Sequence, residues 1–175
     1  IVGETGAGKS TLFRAVAGLW PWGSGTILTP PLETMAFLPQ RPYLPLGTLR
    51  NSIVYPSPPD AFSDAEVRQA LERCDLGHLV GKLDEVDRWD KELSLGEQER
   101  LAFARLLLHK PSWVFLDEAT AALDGDSQRR VMSLFNEELK KTNIWEANNE
   151  EVIRRIMLTV SHMREHTEGI PKMLD

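Results

Sequence analysis

The chain has 175 residues, enough for one domain with a substantial core. Apolar residues make up 42% and charged residues 26%, the composition of a globular protein rather than a disordered or fibrous one. The formal net charge of −6 provides no global attraction to nucleic acid or anionic lipid, and a lone cysteine, Cys74, rules out an intrachain disulfide and suits a reducing compartment. No apolar run approaches the ~20 residues of a membrane helix, and no signal peptide is visible. Ile1-Val2 reads as the end of a buried strand. A glycine-rich loop, Gly3 to Lys9, then opens a helix to about Ala17, with Leu12, Ala15, Val16 and Leu19 on its apolar face. Such a loop needs a full strand before it, and two residues make a poor one. We therefore expect a fragment without its N-terminal strands.

Further along, Leu19 to Gly25 is a turn-rich corner, and Met35 to Leu38 a short apolar strand ending at Pro39-Gln40. The proline-rich residues 41–60 read as loop, with one helical turn near Leu49. Ser63-Asp64-Ala65-Glu66 is a capping box that starts a helix to about Cys74. Ser94-Leu95-Gly96-Glu97 is a second box, starting a helix to about Leu108 that Pro111 closes. Trp113 to Leu116 lacks alternation and reads as a strand buried on both faces. Asp126 to about Lys140 is helical, with Val131, Leu134 and Phe135 on one face. Residues 137–155 are rich in Glu, Lys, Arg and Asn and read as solvated helix and loop. Met157 to Val160 is expected as a final strand. Strands alternating with helices predict an α/β fold with a mostly parallel sheet. Cys74 is expected to be a buried structural thiol, and His78, His109 and His166 to be solvated.

Chemistry concentrates in three places. Gly3 to Ser10 has the spacing G-x-x-x-x-G-K-S. Glycines let backbone N–H groups close around phosphate oxygens, and the helix that follows adds its electropositive end. Lys9 can reach β- and γ-phosphates, and the Ser10 hydroxyl can ligate Mg²⁺. Asp117-Glu118 ends a buried strand, where open α/β sheets bind ligands. Asp117 is expected on the metal side and Glu118 beside an attacking water. Ser94 caps a helix whose N-terminus can receive an anion. No anion from its own chain is evident there.

These motifs, with Gln40 in Leu38-Pro39-Gln40-Arg41-Pro42, Leu93-Ser94-Leu95-Gly96-Glu97-Gln98, and Ala121-Ala122-Leu123-Asp124, resemble the ATPase domain of ABC transporters. The resemblance covers the chain except about 141–155. It implies a P-loop NTPase core with a helical signature subdomain (the ABC ATPase fold), N-terminally truncated here: one domain over 1–175, with the glutamine loop and signature subdomain at about 41–110. It implies binding of ATP by Gly3, Glu4, Thr5, Gly6, Ala7, Gly8, Lys9, Ser10 and Thr11, and across a dimer by Ser94, Gly96, Glu97 and Asp124. Mg²⁺ would fall to Ser10, Gln40 and Asp117, and catalysis to Glu118, Gln40 and the switch histidine, taken as His162 in Thr159-Val160-Ser161-His162. The family's adenine-stacking aromatic lies upstream of the phosphate loop.

Gly18 to Gly25, Leu38 to Pro45 and Leu95 to Gln98 narrow the resemblance. They look like the group holding bacterial YddA-like and BacA/SbmA-like transporters and the peroxisomal fatty-acyl (subfamily D) transporters. Leu44 to Arg50 looks more bacterial than peroxisomal. Such membership implies ATP hydrolysis coupled to transport, a homodimer of ATPase domains, membrane helices in the same full-length chain, and a place on the cytoplasmic face of a bacterial inner membrane. Leu95 and Glu97 replace the commoner Gly and Gln of the signature, Glu99 replaces Gln, and Met163 stands where Arg is usual after the histidine. Two other readings stay open: a non-transport ABC ATPase, and a truncated nucleotide-binding module with no turnover alone.

Overall fold

The computed structural model describes residues 9–22, 27–117, 123, 125–138 and 143–146. The strands expected at Ile1-Val2 and Met157–Val160 lie outside the described residues. The first element is helix α1, Lys9–Val16. A three-residue 3-10 turn, Leu32–Thr34, leads into strand β1, Met35–Leu38. Strand β4, Trp113–Leu116, lies parallel to it, in register from Met35 opposite Trp113 to Leu38 opposite Leu116.

Two strands this short are held by what packs on their faces. Side chains alternate along a strand. Ala36, Leu38, Val114 and Leu116 face the main core, while Met35, Phe37, Trp113 and Phe115 form a second cluster on the opposite face. Val16 at the end of α1 packs on that second cluster, where the Phe37 and Phe115 rings stack with centroids 4.8 Å apart. A buried apolar run without alternation was the expectation for β4. The sheet uses both its faces, so it needs no polar side.

Between β1 and β4 lies a helical unit. Strand β2, Gly47–Thr48, pairs antiparallel with β3, Val86–Asp87. Helix α2, Leu49–Val54, starts on the Thr48 side chain, which accepts from the Asn51 N–H. It exceeds the single turn expected among these prolines. Gly47 has φ +126°, and an added Cβ would lie 2.6 Å from Asn51 Nδ2, so glycine is required at this turn. Helix α3, Asp64–Arg73, begins at the Ser63 capping box as expected and ends at Cys74. A 3-10 segment, Gly77–Lys82, and the short helix α4, Trp89–Glu92, lead to helix α5, Leu95–His109.

Helix α5 is the spine of the unit. Leu101, Ala102, Phe103, Ala104 and Leu106 are buried in one core with Leu49, Ile53, Val67 and Leu71 of α2 and α3. Lys110 closes α5 in the left-handed conformation, φ 46°, before the buried Pro111. Helix α6, Gly125–Glu138, adds Val131 to this core.

Two expectations are corrected by the fold. Residues 137–155 are not all solvated helix and loop: Asn143–Glu146 form strand β5, parallel to β4 from Trp113 opposite Asn143 to Leu116 opposite Glu146. The sheet order is β1-β4-β5. Backbone pairing to β4, rather than any run of apolar side chains, makes this a strand. Nor is His109 solvated. Its Nε2 lies 2.9 Å from the Val54 carbonyl oxygen and its ring meets Phe62 edge-on, at a centroid distance of 5.1 Å. Burial pulls its pKa below the ordinary histidine value, against the backbone hydrogen bonds that favour the charged ring.

Candidate nucleotide-binding site

The parallel ladder positions the first part of the site. The Asp117 N–H donates to the Leu38 carbonyl at 2.9 Å, one step beyond the paired strands. Both strands therefore leave the sheet at the same end: β4 into Asp117, and β1 into Pro39 and Gln40. The family resemblance placed Gln40 in one site with the distant Asp117, and the register brings their backbones to adjoining strand ends. Lys9 and Ser10 open α1, and Thr11 is half-buried in its first turn. Gly3 to Gly8, Glu118, Asp124 and His162 lie outside the described residues.

The donors expected for Mg²⁺ are a carboxylate, an amide and a hydroxyl from Asp117, Gln40 and Ser10. Mg²⁺ prefers oxygen, keeps several waters, and is typically held by one or two carboxylates plus substrate phosphates. Among the described residues no three His, Cys, Asp or Glu side chains gather into a cage. A carboxylate and an amide carried at adjoining strand ends are the kind of donors that fit such an ion.

The second part of the site is the start of α5. Ser94 is its N-cap, and its Oγ accepts from the Glu97 N–H at 3.3 Å. The Ser94 N–H and hydroxyl both donate to Glu97 Oε2, at 2.9 and 2.6 Å. The expectation for Ser94 is thereby corrected: its own chain does supply an anion, the Glu97 carboxylate. Glu97 Oε1 in turn lies 3.0 Å from His78 Nε2. A carboxylate oxygen only accepts, so Nε2 carries the proton and donates. Burial raises the Glu97 pKa, but the hydrogen bonds from Ser94 and His78 outweigh it and leave the carboxyl below its ordinary value.

His78 was read as solvated. It is exposed yet paired, and its partner lies 19 residues away, beyond the reach of sequence spacing. The Gln98 amide donates to the Leu93 and Asp90 carbonyls at 2.9 and 3.2 Å, so it ties down the turn before α5. The structure does not join Ser94, Gly96 and Glu97 to the strand-end residues. The Ser94 and Glu97 side chains bond instead to each other and to His78.

Residues 1–121 match the ABC transporter family. The chain belongs to that family. It is 42% identical over 156 residues to an uncharacterized ABC transporter ATP-binding protein of Haemophilus influenzae, covering 89% of this chain and 26% of that one. It is 39% identical over 141 residues to ATP-binding cassette sub-family D member 3 of Mus musculus, covering 76% and 21%. Among solved structures, a bacterial Atm1-family ABC exporter with ATP bound is similar with a TM-score of 0.72 at 25% identity, covering 83% of this chain and 28% of that chain. The chain thus spans about a quarter of the length of these relatives. The expected fold and the expected kinship with subfamily D both hold, and the chain is an ATP-binding domain of ABC ATPase type.

Proposed function

We propose that this domain hydrolyses Mg-ATP at a site completed by a second copy, and that closure and release of the pair drive substrate across a membrane. The observation that carries the reading is the β1–β4 ladder, which leads Gln40 and Asp117 off the same end of the sheet. Gly3 to Gly8 cradle the phosphates through backbone N–H groups, with Thr11 in the first turn of α1 behind them. Lys9 adds charge at the β- and γ-phosphates. Ser10, Gln40 and Asp117 hold Mg²⁺, which when bound neutralises phosphate charge. Glu118 orients and deprotonates the attacking water, and His162 contacts the γ-phosphate. Ser94, Gly96, Glu97 and Asp124 face the nucleotide of the partner copy. The glutamine loop and signature region, about 41–110, form the part that meets membrane helices of the full-length protein. The domain then lies on the cytoplasmic face of the membrane.

The test separates binding from turnover. Glu118→Gln is expected to keep ATP affinity and to slow hydrolysis by ~10²–10⁴, the usual worth of a general base. Lys9→Ala is expected to weaken ATP binding itself. Nucleotide titration beside phosphate release measures both. Normal turnover in Glu118→Gln, or equal loss of binding in the two, overturns the assignment of roles.

A further inference from the structure

We infer that His78 is a positioning residue of the signature site: it holds Glu97 so that the Ser94 hydroxyl can be handed from the Glu97 carboxylate to an incoming phosphate. The inference rests on the two-copy reading above and extends it to a residue outside the signature.

Two capping boxes in this chain provide an internal comparison. At α3, Ser63 N–H and Oγ donate to Glu66 Oε2 at 2.8 and 2.7 Å, and the Glu66 N–H donates back to Ser63 Oγ at 3.3 Å. At α5, Ser94 and Glu97 repeat that pattern at 2.9, 2.6 and 3.3 Å. Helix capping therefore needs only the serine and the glutamate. The α5 box has a third member, His78 from the 3-10 segment Gly77–Lys82, which donates to the other oxygen, Oε1.

The third member changes what the box can do. The Ser94 hydroxyl has one proton, and in this structure it goes to Glu97 Oε2. A phosphate at the helix N-terminus needs that proton. When Ser94 turns to the phosphate, Glu97 loses a strong charge-assisted bond, and Oε2 keeps only the Ser94 N–H while a second anion arrives beside it. The His78 N–H keeps Oε1 occupied throughout, so the carboxylate stays compensated and holds its place against repulsion from the phosphate. Glu97 is partly buried, with its side chain 22% exposed, so the loss of this donor would be felt.

The experiment is steady-state ATP hydrolysis by the protein expressed from its full reading frame, with His78→Ala, His78→Lys, Glu97→Gln, His78→Ala/Glu97→Gln and Ser94→Arg. His78→Ala is expected to raise KM for ATP about three- to fivefold, the scale of one partly exposed hydrogen bond to a carboxylate, with kcat within about twofold. His78→Lys, which keeps a donor, is expected to recover most of the loss. In the Glu97→Gln background the carboxylate charge is gone, so His78→Ala is expected to add nothing. An unchanged KM in His78→Ala, or the same KM penalty with and without Glu97→Gln, overturns the role of His78. Ser94→Arg tells the two levels apart. If it abolishes turnover while His78→Ala is silent, only His78 is wrong. If Ser94→Arg turns over normally, the two-copy reading falls and the role of His78 with it.

Discussion

Cys74 shows how far the fold reaches into the chemistry of a single side chain. It sits at the end of α3, 1% exposed, inside the main core. Burial pushes its pKa from 9.0 to about 12, while Arg73 and Arg100 pull weakly the other way. The thiol is therefore inert in the folded state, since the thiolate is the nucleophile. The same shift predicts a pH dependence of stability. Between pH 9 and about 12 the unfolded chain has lost the proton and the folded chain has kept it. The unfolded state binds fewer protons there, so stability falls as pH rises, by up to about 1.4 kcal/mol per unit from this group. At neutral pH Cys74→Ala is expected to be less stable than the parent, because it leaves a cavity. That difference is expected to narrow as pH climbs toward about 10, since alanine has no proton to lose. Urea unfolding of both proteins across this range measures it. A difference that stays constant with pH refutes the account.

Helix α3 carries no proposed role in catalysis, so its cap can be removed without confusion. Ser63→Ala deletes the acceptor for the Glu66 N–H and the hydroxyl that donates to Glu66. The expected cost is about 1 kcal/mol, or ~2–4 °C in Tm, with ATP hydrolysis unchanged. Calorimetry with a phosphate-release assay checks both, and a loss of activity at full stability contradicts it. The capping boxes at Ser63 and Ser94 were legible because each signal fits within four residues. Strands β1 and β4 were legible because each is a short apolar run beside turn residues. Strand β5 was not, since Asn143 and Glu146 flank only Ile144 and Trp145, and its pairing comes from β4, about 30 residues earlier. Helix α2 was read short because prolines surround it, whereas Thr48 caps it and the core buries Leu49, Ile53 and Val54. In the site, Asp117 was read from the end of a buried strand, which sequence marks well, whereas Gln40 was read only from the family resemblance. The His78–Glu97 pair and the His109–Val54 bond depend on tertiary packing, and no local pattern announces them.

At the scale of the whole molecule, the described part divides the proposed chemistry between two regions. Gln40 and Asp117 leave the same end of the sheet, and Ser94 stands at the start of a 15-residue helix, α5, about 22 Å long. The proposed composite site joins the first region of one copy to the second region of another. Two consequences follow for the 175-residue chain expressed by itself, whose copies meet only by diffusion. Effective concentration of the partner is then the bulk concentration, so hydrolysis is expected to rise more steeply than linearly with protein. Mixing two inactive variants is expected to restore part of the activity. Ser94→Arg spoils the signature region, and Lys9→Ala spoils the phosphate loop. In a mixed dimer, one site combines the damaged loop with the damaged signature, and the other combines an intact loop with an intact signature. Random pairing makes about half of all dimers mixed, so with half their sites intact roughly a quarter of the parent activity is expected if the two sites act independently. The measurement is phosphate release across a dilution series, for the parent, for each variant and for the equimolar mixture. A specific activity that stays constant over about a hundredfold dilution, with no recovery on mixing, would place the whole site within one chain.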